Sequence, residues 1–218
     1  MVKVERSYPS PPSLEVEKQK TNGRYSQKDV VNQLRNDFWD KCYLCEMKNL
    51  QDPEVEHLIP HKGIDLELKF DWNNLFLSCG HCNNVKNARK YDSGIINCCN
   101  VDPESVLTFR YENGNVIINT KEKTDIIVAN TAQLLDEIYN KTNTGLRVIK
   151  CQVRVNQLSS EMNELYKMLF EYEKQPDDSL IRRKIGVMLS RKSAFAAFKR
   201  QYVRDNIRLY PNLKEFVE

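Results

Sequence analysis

The sequence predicts an α+β fold, and three observations carry that reading. Two short β-prone segments, Val55 to Ile59 and Leu75–Leu77, lie between two Cys-x2-Cys pairs. Val106–Tyr111 and Asn115–Asn119 flank an Asn-Gly turn and form a hairpin. From Ile126 onward, apolar residues recur at three- and four-residue intervals, the period of a helix with one buried face. The chain divides accordingly into residues 1–25, 26–120 and 121–218: an arm, a core with the hairpin, and a C-terminal helical region.

Residues 1–25 hold Pro9, Pro11 and Pro12 among Ser and Lys with no sustained period, so an extended arm is expected, ordered only by a partner or by packing. Ser26 is placed to cap a helix from Gln27 to about Asp40, whose apolar face is Val30, Val31, Leu34, Phe38 and Trp39. Pro60 ends the first strand, because a proline cannot donate to a ladder. Asn83 to Lys90 is expected as a short helix, broken by Gly94. Ile126–Tyr139, Gly145–Glu173 and Asp178–Ile207 then read as helices, with Pro176 separating the last two into an antiparallel pair.

Composition excludes several classes. Hydrophobic residues are 40% and charged residues 29%, an ordinary globular balance. No apolar run approaches the roughly 18 residues of a membrane span, and the N-terminus lacks the apolar segment of a secretion signal. The expected location is therefore the cytoplasm, with no membrane partner. The net charge of +3 says little about partners. Its distribution says more: from Ile181 to Arg208 there are nine Lys/Arg against Asp205 alone. Arg182, Arg183 and Lys184 are candidate phosphate contacts, against the alternative of a solvated helix face.

Seven cysteines in a reducing compartment point to metal rather than disulfides. Cys42-x2-Cys45 and Cys79-x2-Cys82 are separated by 33 residues. Two such pairs present four thiolates to one zinc ion and leave no open position, so the site is expected to be structural. Zinc would then staple the start of the ββ element to the following helix. Cys98, Cys99 and Cys151 are expected as small buried hydrophobes.

All three histidines, His57, His61 and His81, fall inside the segment enclosed by these cysteines. That segment reads Val55-Glu56-His57-Leu58-Ile59-Pro60, then Asp71-Trp72-Asn73-Asn74-Leu75, and ends Cys79-Gly-His-Cys82-Asn83-Asn84-Val85-Lys86. Taken singly, Glu56 suits a surface carboxylate, His57 a core histidine, Asn74 a turn and Asn83 a helix cap. Taken in order, the pattern from Cys42 to Lys86 resembles the zinc-bearing HNH (ββα-metal) endonucleases.

The resemblance implies a ββα-metal core and a phosphodiester hydrolase. It implies His57 as the general base, Asn74 as the residue that helps position it, and Glu56 with Asn83 as ligands of a catalytic divalent metal. A carboxylate and an amide oxygen suit a hard cation, Mg²⁺ or Mn²⁺. Neutral imidazole is the main form at pH 7 and accepts a proton from water. Neighbours on a regular strand face opposite sides, so Glu56 and His57 require a bend or a shared edge to serve one site. Lys86 is expected to contact phosphate, His61 to sit in an exposed loop, and His81 to face solvent. Across its length the chain is similar to the HNH nuclease subunit of Septu-type antiphage systems. That similarity implies a separate ATPase partner and an invader's nucleic acid, DNA ahead of RNA, as target. The alternatives are a stand-alone restriction or homing-type HNH enzyme and a non-catalytic zinc-knuckle binder of nucleic acid.

Overall fold

A computed structural model describes residues 1–87, 89–121 and 125–218. Two antiparallel strand pairs and nine α-helices make up the described residues. Helix α1 (Ser13–Lys18) and helix α2 (Lys28–Asp37) precede strand β1 (Pro53–His57). A short helix α3 (Leu66–Phe70) and the turn Trp72–Asn74 lead into strand β2 (Leu75–Cys79), which runs directly into helix α4 (Gly80–Lys86). Register pairs Pro53 with Cys79 and His57 with Leu75. The second Cys pair therefore sits where β2 becomes α4, beside the start of β1. Every residue of β2 is buried. Its large apolar side chains pack under α2, where Phe38 and Phe76 rings meet at 5.6 Å. Burying a side chain of that size stabilises by about 1.5–3 kcal/mol.

Helix α5 (Pro103–Val106) precedes the hairpin of β3 (Leu107–Glu112) and β4 (Asn115–Thr120). Its turn residues Asn113 and Gly114 both have positive φ, as an Asn-Gly hairpin turn requires. Helices α6 (Ile126–Asn140), α7 (Gly145–Lys174), α8 (Ser179–Leu189) and α9 (Ala196–Asp205) follow. Asp125, Thr144 and Asp178 cap α6, α7 and α8 by accepting backbone N–H groups of their first turns.

Three expectations need correction. Residues 178–207 do not form one helix: the chain breaks after Leu189, and Phe195 adopts φ 49°. The break is held from a distance, because Lys41 Nζ donates to the carbonyls of Arg191 and Ser193. The expected helix from Asn83 to Lys90 is α4, which begins earlier and ends at Lys86; Ala88 lies outside the described residues. The strand expected to reach Ile59 ends at His57, where Asn74 takes over the next backbone contacts. The N-terminal segment is held by packing. Met1, Val2, Val4 and Leu14 are buried, and the Val4 amide donates to the Cys98 carbonyl. Arg6 donates to the carbonyls of Trp72 and Leu75 and lies over the Phe38, Trp72 and Phe76 rings.

Candidate active site

Cys42, Cys45, Cys79 and Cys82 are all buried, and their four sulfurs lie within 4.8 Å of one another. A tetrahedral ion with bonds of about 2.3 Å needs sulfurs about 3.8 Å apart, and Cys45 and Cys79 stand at 4.0 Å. The cluster fits a tetrahedral thiophilic ion. Hydrogen bonding from the other three thiols holds Cys79 well below the ordinary thiol range, whereas burial pushes Cys45 and Cys82 up. Cys98 and Cys151 are buried apart from this cluster, and Cys99 is half-buried.

A cleft of about 680 Å³ opens beside β1 and α4, lined by Glu56, His57, His61, Asn83 and Lys86 among others. Strand β1 pairs only with β2, so its other edge is free. Both Glu56 and His57 line the cleft, although they are neighbours on β1. His57 Nε2 is 3.0 Å from the carbonyl of Lys69. A carbonyl only accepts, so Nε2 carries the proton and Nδ1 is left as the basic nitrogen. Burial, only partly offset by that carbonyl, lowers the imidazole to about 4.

Asn74 does not line the cleft. It is buried, and its amide ties three backbone groups: Oδ1 accepts from Ile59 N–H at 2.8 Å, while Nδ2 donates to Ile59 O and Leu68 O at 2.9 Å each. These bonds fix the segment after β1 against the end of α3, which presents the Lys69 carbonyl to His57. Glu56 is 4% exposed and fully engaged. Lys86 Nζ pairs with it at 2.5 Å and Tyr43 Oη donates to it at 2.6 Å. Burial pushes its carboxyl up, opposed by Lys86 and Tyr43. Lys86 also donates to the His57 carbonyl at 2.8 Å. Asn83 Nδ2 donates to Glu54 Oε2 at 2.5 Å. A carboxylate cannot donate, so this bond fixes the amide and leaves Asn83 Oδ1 as its free end.

Two expected positions differ. His81 is buried rather than solvent-facing, with Nε2 3.0 Å from the Ile138 carbonyl of α6. His61 is half-buried in the cleft, its ring 4.5 Å from that of His57. Lys86, expected to contact phosphate, is buried in the wall of the cleft. Arg182 pairs with Glu215 on the far helical region, and Arg183 and Lys184 are exposed beside it; none of the three lines this cleft. Much of the remaining basic stretch is engaged internally. Arg191, Arg200 and Arg204 surround Glu104, and Lys199 pairs with Glu161. Sequence reasoning passed over Tyr43, Glu54 and Tyr25, whose ring packs 4.4 Å from His57. Only the alternate position of Glu54 two residues before Glu56 offered a signal.

Residues 42–89 match the family model described as HNH endonuclease. The chain thus carries a segment that matches an HNH endonuclease domain, and that segment contains the four cysteines together with Glu56, His57, His61, Asn83 and Lys86 of the cleft. Over 70% of its length the chain is similar, at 26% identity, to Septu protein PtuB of Bacillus mycoides (strain KBAB4), 71% of which is covered. No solved structure matches the chain. Among the described residues, no helix is long and apolar enough to cross a membrane.

Proposed function

We propose that the protein is a metal-dependent endonuclease that hydrolyses phosphodiester bonds in this cleft, and that it serves as the nuclease effector of an antiphage complex with a separate ATPase. The observation that carries the catalytic part is the Lys69 carbonyl on His57 Nε2. It dedicates Nδ1 to taking a proton from water, and the half-buried ring keeps that nitrogen neutral at pH 7. Asn74 is a positioning residue for this base, acting through the Lys69 carbonyl and the backbone at Ile59. Glu56 and Asn83 supply a carboxylate and an amide oxygen to the same cleft, a donor set that fits a hard cation, Mg²⁺ or Mn²⁺. Such an ion, when bound, stabilises charge on the phosphate and the leaving oxygen. Glu56 already pairs with one cation, the Lys86 ammonium. Lys86 therefore keeps the carboxylate charged and brings positive charge to the place where phosphate must enter.

Zinc is the ion assigned to the four cysteines, because the set is all thiolate, closed and tetrahedral. The antiphage role and the ATPase rest on the likeness to Septu protein PtuB. A phosphodiester substrate follows from the domain, with DNA as the proposed polymer. Arg182, Arg183 and Lys184 are proposed to bind its backbone away from the cleft. The test is plasmid nicking with added Mg²⁺ or Mn²⁺. Wild-type protein nicks and His57→Ala does not, with its fold and zinc content unchanged. Nicking by His57→Ala at the wild-type rate would refute the mechanism. Co-purification with an ATPase encoded beside it tests the complex.

A further inference from the structure

Helix α7 buries a seam that runs from Cys151 through Leu158, Met162 and Leu165 to Tyr172. The spacing is that of an apolar stripe, yet Arg154 occupies one of its positions and is the only charged residue on it. Its side chain is 5% exposed. A guanidinium stays protonated in a protein, so α7 carries a fixed charge into the interior, and a buried charge without a counter-charge is strongly destabilising.

None of the ion pairs among the described residues includes Arg154. Its Nη1 returns to the Lys150 carbonyl of its own helix at 2.6 Å, and its Nη2 donates to Cys79 Sγ at 3.0 Å. Its Nε is buried with no partner. The charge therefore faces sulfur. Four thiolates around one Zn²⁺ leave two negative charges in excess, and a buried excess of that kind needs a cation close by. The approach is fixed from neighbouring elements. Tyr139 Oη of α6 donates to the Cys45 carbonyl at 2.8 Å, and His81 meets the Ile138 carbonyl.

We propose that Arg154 is the counter-ion of the tetrathiolate site: its guanidinium hydrogen-bonds the Cys79 thiolate, offsets the excess charge and slows loss of the metal. The helical region after the hairpin is then part of the metal site and not an appendage to it. The proposal rests on the zinc reading given above. Groups that support a metal's ligands in this way typically set its affinity by about 10–100-fold.

The experiment compares the full-length protein with Arg154→Gln and Arg154→Lys. Zinc release into excess chelator is followed by a chromogenic indicator, and the Co²⁺-substituted proteins are examined by absorption. Arg154→Gln is expected to release zinc about 10–100-fold faster, with Arg154→Lys in between because the charge is kept. The thiolate-to-cobalt charge-transfer band shifts to lower energy in Arg154→Gln, since a sulfur that loses a hydrogen bond gives up its electrons more easily. A residue that only fills space changes neither quantity. A folded Arg154→Gln protein with the wild-type release rate and band would overturn the proposal. Should Arg154→Gln not fold, Arg154→Lys decides. An ammonium cannot span Lys150 and Cys79 as a guanidinium does, so a shifted band is expected there, and wild-type release with a wild-type band overturns it. Wild-type protein free of zinc would overturn the zinc reading and this proposal together.

Discussion

Lys69 enters the site through its backbone, and this explains what was legible at the scale of residues. The roles of Glu56, His57 and Asn83 depend on side-chain chemistry, so their types and order pointed to a hydrolytic cleft. A carbonyl is common to all residues, so nothing in the sequence marked Lys69 as the partner of His57. Tyr43 was equally silent, because its hydroxyl meets Glu56 only once β1 has paired with β2. Two outcomes follow at this scale. Asn74→Ala leaves the backbone groups at Ile59 and Leu68 without their side-chain partner. It also frees the segment that orients His57, so nicking falls by about 10²-fold while zinc content stays at the wild-type level. Normal nicking by that variant would remove Asn74 from the site. Lys86→Ala leaves Glu56 buried without its cation, at a cost of about 3–5 kcal/mol. Added Mn²⁺ replaces the missing charge, so it raises the melting temperature of Lys86→Ala more than that of wild type. Equal shifts in the two proteins would contradict a shared carboxylate.

At the scale of elements, the hairpin and the start of α7 follow local rules: Asn113-Gly114 sets the turn, and Thr144 caps the helix. The break between α8 and α9 does not. Residues between Leu189 and Phe195 carry no Pro or Gly to mark a break, and the interruption is tied down by Lys41 and by the Glu46 carbonyl, which accepts from Phe195 N–H. Both partners lie about 150 residues away in sequence, so a local reading joined the two helices. The cysteine pairs were legible by spacing alone, because two short turns carrying thiols are the usual way to close a tetrahedron. Cys79 is shared by β2, the cysteine cluster and the Arg154 hydrogen bond. Cys79→Ser is accordingly expected to lose zinc and unfold the ββα element, seen as loss of metal by elemental analysis and of cooperative melting by circular dichroism. A cooperative, zinc-replete Cys79→Ser protein would sink the staple.

For the whole molecule, the decisive buried charge is Glu46. Burial alone pushes its carboxyl up, but Lys41 at 3.1 Å, the N-terminal ammonium at 3.3 Å and the Ala197 amide at 2.9 Å outweigh it and hold it at about 2. Its ordinary value is 4.5, so the unfolded chain takes up the proton first. Stability from this group is complete above about pH 4.5 and is lost as pH falls toward 2. His57 and His81, both lowered by burial from 6.5 to about 4, act in the same direction over that higher window, since the unfolded chain again binds protons more readily. Melting temperature should therefore decline as pH falls from 6.5, and Glu46→Gln should remove the part of the decline below about pH 4.5. A flat profile in wild type would refute this account. Substituting Arg182, Arg183 and Lys184 together should reduce the dependence of nucleic-acid affinity on log salt, by up to about 0.9 for each phosphate that is no longer neutralised. An unchanged slope would remove them from the binding surface. Residues 1–25, with their prolines and no sustained period, are expected as an extended arm ordered only by a partner or by packing. The buried Val4 and half-buried Arg6 take partners from Cys98, Trp72 and Leu75, none of which is near in sequence, so the packing that holds the arm had no local signal.

The bond from Ala197 N–H to Glu46 has a consequence for the order of events at the ribosome. The chain between the first cysteine pair and α9 must be synthesised before this bond closes, and pairings of such sequence separation form late. Nascent chains that already contain every cleft residue still lack the Ala197 amide, one of the three partners that hold Glu46 beside Cys45. The surroundings of Glu46 are therefore completed only once α9 has emerged.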